Sequence, residues 1–228
     1  MWRFDGHVHS HHSRDAKGTV LELARCAQER GLHGFALTDH DTVAGHAEIE
    51  AAMQATGLLI VPGIEVTSAE GHILAWNVHD DIEKGRSLPW TVEAIRDQGG
   101  VAVAAHPLRM FSGLGPEGLR THSASGALRA AEGLNARERR LVQQNTERVV
   151  AGLGIAAVGG SDAHWVDDIG TAYTVFDHAP ADAAALVAMV RDGLCRPAGG
   201  NTARHQVWKH SLSLAVPAKW RKRAIEQE

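Results

Sequence analysis

The stretch FDGHVHSHHSRD, residues 4–15, places four histidines and two aspartates directly before the first helical pattern of the chain. His7 and His9 are two residues apart, so on an extended strand both imidazoles point to the same side. Two imidazole nitrogens in this arrangement can hold one divalent metal ion. The stretch therefore predicts a first strand that carries metal ligands at its C-terminal end.

Apolar runs and amphipathic segments alternate after this stretch. Apolar residues from Val20 to Ala27 recur at i, i+3, i+4 and i+7, which predicts a helix over residues 19–30. Further helices are predicted over 43–56, 90–98, 137–153 and 181–194, with apolar strands between them. Six or seven such alternations are typical of parallel βα units. Residues 111–126 are glycine-rich, and we expect a mobile loop there.

The composition is that of an ordinary globular domain. The 228 residues are 44% hydrophobic and 22% charged, and the formal net charge of -4 argues against binding nucleic acid through bulk electrostatics. Two cysteines, Cys26 and Cys195, are too few for a disulfide framework, which favours a reducing, cytoplasmic location. Because no signal-peptide pattern and no apolar run of about 18 residues occurs, we expect no membrane partner.

Polar residues follow the predicted strands at the point where each strand ends. In a barrel of parallel strands, these C-terminal ends lie on one face, where such barrels place their sites. The residues at these ends are His7, His9, His40, Glu65, His106, Asp162 and His164. A mixed set of imidazoles and carboxylates suits Zn2+, Mn2+ or Fe2+. The sequence therefore predicts a metal site on this face.

Six motifs together resemble the polymerase and histidinol phosphatase (PHP) domain family. They are DGHVHS, ALTDHDT, GIEVTS, GHILAW, AAHP and GGSDAHW, in the family's order and approximate spacing over about residues 3–176. The resemblance implies an α/β fold, a distorted (β/α)7 TIM-like barrel, with a trinuclear metal centre that hydrolyses phosphate esters. We expect a PHP catalytic domain over residues 1–200 and a basic C-terminal extension that packs on the barrel over residues 201–228.

The resemblance implies nine ligands for three divalent ions. They are His7, His9, Asp15, His40, Glu65, His72, His106, Asp162 and His164. By the family's pattern Glu65 bridges two ions, while Asp15, His40 and His164 hold the third. Three dications against three carboxylates leave an excess of about three positive charges, which suits a phosphate ester. A water between two metals can lose a proton and become the nucleophile. We expect Glu65, Asp162 and His164 to be the catalytic residues; the proton donor to the leaving alcohol is His164, another imidazole or a metal-bound water.

Candidate substrate contacts lie around the same face. Arg109 follows His106 by three residues and could bind phosphate through two hydrogen bonds; the alternative is a solvated loop arginine. Asn135 and Arg137 stand at another strand end. His11 is a candidate contact to substrate or metal, and the alternative is a polar loop at the rim of the site. Asp39 and Asp41, on either side of His40, could orient an imidazole, or serve as turn or helix-capping residues.

These features predict a metal-dependent phosphatase or phosphodiesterase. The expected partner is a small organic phosphate or a nucleotide, with oligonucleotide ends as a wider possibility and nucleic acid less favoured. His72 and His106 are only 34 positions apart, which leaves no room for the helical insertion of the larger nucleotidases and exoribonucleases of the family. The alternative function is a non-catalytic or regulatory metal-binding module, which binds a protein or nucleic acid through the glycine-rich loop and the basic tail.

Overall fold

The computed structural model describes residues 1–201, so the basic extension predicted over residues 201–228 lies, apart from Asn201, outside the described residues. Across residues 1–201 one mixed sheet has the strand order β7-β6-β5-β4-β3-β2-β1-β8-β9. The strands are β1 (Trp2–Val8), β2 (Gly34–Leu37), β3 (Leu59–Thr67), β4 (His72–Trp76), β5 (Val101–Ala104), β6 (Ala130–Asn135), β7 (Ala156–Gly160), β8 (Ala172–Phe176) and β9 (Arg196–Gly199).

Six α-helices accompany these strands in the same range. They are α1 (Val20–Glu29), α2 (Ile49–Thr56), α3 (Leu88–Asp97), α4 (Gly115–Ala124), α5 (Arg140–Ala151) and α6 (Ala183–Arg191). Five of the six lie where the periodicity predicts a helix, with ends shifted by a few residues. The segment before α2 forms a short 3-10 helix, Ala44–Glu48. Among these helices none is long and apolar enough to cross a membrane.

The sheet curls into a nearly closed barrel. Its two sides meet where the backbone after β7 reaches β1: the His9 N–H donates to the Ala163 carbonyl at 2.9 Å, and the Ala163 N–H donates to the His7 carbonyl at 3.2 Å. The predicted distorted TIM-like barrel is confirmed. Closure at this point brings the segment after β7 beside the first pair of histidines.

The expectation of parallel βα units holds for β1–β2–β3 and β5–β6–β7 and is wrong for the other strands. β4 runs antiparallel to both β3 and β5, and β8 and β9 are also antiparallel to their neighbours. Only residues 68–71 separate β3 from β4, and so short a connection can form a hairpin but not the crossover that a parallel pair requires. As a result, the start of β4 lies at the same barrel edge as the ends of its neighbours.

The glycine-rich segment over 111–126 is also not the simple loop that we expected, because α4 occupies most of it. Pro116 stands in the first turn of this helix, where its missing N–H costs no helical hydrogen bond. Leu119 is fully buried in an apolar cluster with residues of β4 and α3. Burial of one leucine therefore outweighs the weak local helix propensity of the glycines and serines.

Large apolar side chains fill the barrel. Phe4, Trp76 and Phe176 belong to one fully buried cluster, and the Trp76 Nε1–H donates to the Gly6 carbonyl at 2.9 Å. A Cβ at Gly6 would lie 2.5 Å from the Trp76 ring, so this position on β1 has no room for a side chain. The packed interior forms a floor under the polar end of the barrel.

Candidate metal centre

One barrel edge collects the polar side chains. His7 lies near the end of β1 and His9 directly after it, Glu65 is on β3, and His106 follows β5. His40, after β2, forms a parallel bridge with Glu65, which places the two side chains next to each other. The structure brings all nine predicted ligands to this edge, which we call the ligand edge. Their role as ligands remains a proposal.

Glu65 lies at the middle of the cluster and is almost fully buried. Its Oε2 atom is 3.3 Å from His7 Nε2, 3.3 Å from His9 Nε2 and 3.0 Å from His40 Nδ1. Its Oε1 atom is 2.9 Å from both His72 Nδ1 and His106 Nε2. Five imidazoles therefore surround one carboxylate. His72 joins them because β4 is antiparallel and begins at this edge.

Two further carboxylates complete the cluster. Asp162 Oδ1 lies 3.6 Å from the Nε2 atoms of both His7 and His9 and 3.4 Å from His164 Nδ1. Asp15, from the loop after β1, has its Oδ2 atom 3.6 Å from His40 Nε2 and 3.4 Å from His164 Nε2. The contacts of Asp15 match the third set of ligands that the resemblance implies.

The surroundings of the buried carboxylates favour their ionised form. Burial opposes this, but His7, His106 and His40 hold the pKa of Glu65 well below its usual range. His7 and Arg109 do the same for the pKa of Asp162, again against the effect of burial. These anions in turn raise the pKa of His7 well above its ordinary value, although its own burial acts in the opposite direction. The cluster thus requires positive charge at its centre.

The donor atoms fit divalent metal ions. Within the described chain, Glu65 Oε2 and Asp15 Oδ1 are buried and make no hydrogen bond. Imidazole nitrogens approach Glu65 Oε2 closely without hydrogen-bond geometry, as expected of ligands that share an ion. The Nε2 atoms of His7 and His9 are 3.0 Å apart. Ions bound at about 2.0–2.2 Å would satisfy these lone pairs.

Groups of three candidate ligands have one donor atom each within 4.8 Å of one another. They are His9, His40 and His164; His7, His106 and Asp162; His7, His9 and Glu65; and His40, Glu65 and His72. The overlap of these groups through shared residues suits neighbouring ions that share ligands.

Glu132, on β6, supports the site and was missed by the sequence analysis. It is fully buried, and its Oε1 atom lies 3.0 Å from His7 Nδ1. A hydrogen bond from Nδ1–H to this carboxylate leaves the Nε2 lone pair of His7 directed at the centre. Its Oε2 atom accepts hydrogen bonds from the His106 backbone N–H and from Asn135 Nδ2. The available signal was a carboxylate inside the apolar run AAEGL.

The aspartates beside His40 hold loops, and neither makes a direct hydrogen bond to an imidazole of the described residues. Asp39 accepts hydrogen bonds from the hydroxyls of Ser10 and Ser13, and the Ser13 hydroxyl in turn lies 3.4 Å from His9 Nδ1. Asp41 accepts from the backbone and the hydroxyl of Thr67, and its own φ is +52°. Asp41 is therefore a turn residue, one of the alternatives considered.

The four predicted substrate contacts have different surroundings. Arg109 donates to Glu138, to Asn135 Oδ1 at 3.2 Å and to Asp162 Oδ2 at 2.8 Å, so its guanidinium is already engaged. Arg137 lines the central cavity, and its Nη1 atom is buried with no hydrogen-bond partner in residues 1–201. His11 is not brought to this cavity: its side chain faces Glu48.

Residues 5–157 of the chain match the PHP domain family. The chain belongs to the PHP domain family. Residues 143–195 of this PHP protein also match the PHP-associated family, which adjoins and overlaps the first match. The resemblance inferred from the six motifs is confirmed.

Known proteins similar to this PHP chain cover it in part. An uncharacterized protein of Methanocaldococcus jannaschii is 33% identical over 113 residues, which are 45% of this chain and 66% of that protein. A 5'-3' exoribonuclease of Haemophilus influenzae is 33% identical over 105 residues, 44% of this chain and 38% of that protein. The matched regions thus span less than two thirds of these relatives' own lengths.

A solved structure shares the fold. The two-domain protein from Bacteroides vulgatus, described as containing a predicted PHP-like metal-dependent phosphoesterase, superposes with a TM-score of 0.73 at 16% identity. The superposition covers 87% of this chain and 65% of the other. At this identity the likeness supports the barrel architecture, while the activity has to be argued from the residues of the site.

Proposed function

We propose that this PHP protein is a metal-dependent phosphoesterase that hydrolyses a phosphate monoester. The observation that carries the proposal is the Glu65 carboxylate with five imidazole nitrogens 2.9–3.3 Å from its oxygens. Glu65 and three of these histidines, His40, His72 and His106, line a cavity of about 420 Å³ that opens to solvent. A structural metal site tends to be closed, whereas this site adjoins space for a substrate.

Three ligand sets account for the donor atoms. His7, His9, Glu65 and Asp162 would hold one ion; Glu65, His72 and His106 a second; and Asp15, His40 and His164 a third. Zn2+, Mn2+ and Fe2+ all suit such mixed nitrogen and oxygen ligands. When bound, these ions supply Lewis acidity toward phosphoryl oxygens and lower the pKa of a bound water. In this proposal Glu65, Asp162 and His164 remain the catalytic residues.

Arg137 and Arg109 have different roles in this proposal. Arg137 is the better candidate for binding phosphoryl oxygens, because its buried Nη1–H groups at the cavity have no partner among the described residues. Arg109 and Asn135 both contact Asp162 Oδ2, so we assign them to holding that carboxylate in position. This revises their predicted role as direct substrate contacts.

The size of the cavity fits a small organic phosphate or a nucleotide, since small-molecule sites occupy roughly 300–1,000 Å³. The exoribonuclease of Haemophilus influenzae is a relative over less than half of each chain. Oligonucleotide ends therefore belong in any substrate panel as a secondary class. The cytoplasmic location stays a prediction.

The test is release of inorganic phosphate from a panel of sugar phosphates, nucleotides and 5'-phosphorylated oligonucleotides, after loading the full chain with Zn2+, Mn2+ or Fe2+. Glu65→Gln and His106→Asn should lower the rate by roughly 100-fold or more, as loss of a catalytic group does. The exposed His178→Asn is the matched control. Metal-dependent stability without turnover on any ester would instead support the non-catalytic module.

The role of Arg137 has its own measurement. Arg137→Gln should raise KM for the best ester, because the phosphate loses a charged hydrogen-bond donor that is worth about 1.5–3 kcal/mol. The exposed Arg120→Gln removes the same charge from α4 and should leave KM unchanged. Equal KM values for the two variants would contradict this role.

A further inference from the structure

A second group of metal-ligating side chains lies apart from the central cavity. After His9 the chain leaves the barrel edge, and His11 and His12 turn toward Glu48 at the end of the 3-10 helix Ala44–Glu48. One donor atom from each of these three residues lies within 4.8 Å of the others. None of the three lines the central cavity.

The distances suit one shared ion. Bonds of about 2.1 Å in a tetrahedral site put neighbouring ligand atoms roughly 3.4 Å apart. His11 Nε2 is 3.5 Å from Glu48 Oε1, and His12 Nε2 is 2.8 Å from the same atom. The first distance already fits, and a small side-chain rotation of His12 would bring the second to the same value.

Each end of the cluster is oriented by a second contact. His11 Nδ1 lies 3.3 Å from the Gly18 carbonyl, and donation from Nδ1–H to this oxygen leaves the Nε2 lone pair facing Glu48. The other carboxylate oxygen of Glu48 accepts a hydrogen bond from the Val20 backbone N–H at 3.2 Å. Metal-binding histidines and carboxylates are held by outer contacts of this kind.

A hydrogen bond between His12 and Glu48 does not account for the whole arrangement. It explains the 2.8 Å contact but leaves the His11 Nε2 atom at the outer limit of hydrogen-bond distance from Glu48. The two imidazole rings also lie close together, with centroids 4.2 Å apart. Two neighbouring imidazoles and one carboxylate oxygen, with donor atoms within 4.8 Å of one another, form a ligand set that zinc prefers.

We propose that His11, His12 and Glu48 bind a divalent metal ion, best matched by Zn2+, at a peripheral site separate from the central cluster. The three side chains are 43%, 26% and 33% exposed, so the ion is reachable from solvent and water completes its coordination. The ion ties the loop after β1 to the start of α2. This loop also carries Ser13 and Asp15, so the peripheral ion restrains a loop that reaches the central site.

The first test counts bound zinc. The full chain is stripped with a chelator, equilibrated in a zinc buffer and analysed by elemental mass spectrometry after gel filtration. His11→Asn and Glu48→Gln should each contain one Zn2+ per chain fewer than the wild type, while the exposed His178→Asn should match the wild type. Equal zinc content in all four proteins would overturn the proposal.

The second test locates the ion. Anomalous diffraction from crystals of the zinc-loaded chain should show a peak bonded to His11, His12 and Glu48, in addition to any at the central site. Peaks confined to the central site would reject the proposal. A peak at the peripheral site without the difference in zinc content in solution would mark it as an adventitious ion only. Neither measurement depends on turnover, so a failure of the phosphoesterase proposal is distinguishable from a failure of this one.

Discussion

Replacing Glu132 by glutamine tests how the barrel prepares His7 for a metal. Both oxygens of Glu132 are in use: Oε1 lies 3.0 Å from His7 Nδ1, and Oε2 accepts from the backbone of His106 and from Asn135. Glutamine keeps the size but has one oxygen, so its NH2 group must face a donor on one side. The residue is fully buried, and water cannot repair the mismatch.

The cost follows from these contacts. A hydrogen bond to a charged group contributes about 1.5–3 kcal/mol, and its loss at a buried site falls near that range. For a domain of 150–250 residues each kcal/mol corresponds to about 2–4 °C in Tm, so the Tm of the metal-free Glu132→Gln chain should fall by roughly 3–12 °C. Metal affinity should fall about 10- to 100-fold, because the tautomer of His7 is no longer held.

Two assays measure these effects. Calorimetry of the metal-free chain gives the change in Tm, and competition with a chromophoric chelator gives the metal affinity. Glu29→Gln, at an exposed position on α1, is the matched control that removes an exposed carboxylate. If Glu132→Gln and Glu29→Gln have the same Tm and the same metal affinity, the positioning role of Glu132 is refuted.

Three further predictions concern packing, acidity and an exposed aromatic side chain. A Cβ at Gly159 would lie 2.3 Å from a carbonyl oxygen of β8. Gly159→Ala should therefore lower the free energy of unfolding, measured in urea, by about 1–3 kcal/mol. An unchanged free energy of unfolding would contradict the close strand contact. Burial raises the pKa of the Cys195 thiol to about 11, which disfavours the thiolate. In the Cys26→Ser variant, the alkylation rate of Cys195 should therefore rise about tenfold per pH unit between about pH 8 and 10. A plateau of this rate in the same range would refute the raised pKa. Phe111 is 98% exposed on the loop that carries Arg109. Phe111→Ala should raise KM for nucleotides, because about 1–3 kcal/mol of base stacking is lost, and should leave KM for sugar phosphates unchanged. Equal changes in KM for both substrate classes would exclude stacking.

Local patterns in the sequence were enough to predict most of the ligand edge. His7 and His9 are recognisable because alternate residues of a strand share a face, and His106 because it ends a short apolar run. His72 was identified only through the family resemblance, since it begins a strand instead of ending one. Its place at the ligand edge depends on the antiparallel direction of β4, which the sequence periodicity does not reveal.

The segment over 111–126 shows a different failure. Its glycines and serines indicate a loop when propensities alone are considered, yet Leu119 is fully buried and the segment forms α4. A single buried leucine side chain contributes about 1.5–3 kcal/mol, which is enough to outweigh several weak local preferences. That contribution exists only once β4 and α3 are in place to cover it.

The sequence by itself determined the kind of candidate site, because residue type and spacing along one strand are local properties. It placed histidines and carboxylates at the ends of apolar runs, which predicted a candidate metal site, while the distorted barrel was implied by the family resemblance. The tertiary structure decided which residues contact each other. Glu132 meets His7 across 125 positions of chain, and Arg109 is held by Glu138 and Asp162. Within residues 1–201, Arg137 keeps a buried nitrogen without a hydrogen-bond partner. Hydrogen bonds and charges between distant residues depend on which strands become neighbours, and packing of the whole barrel sets that arrangement.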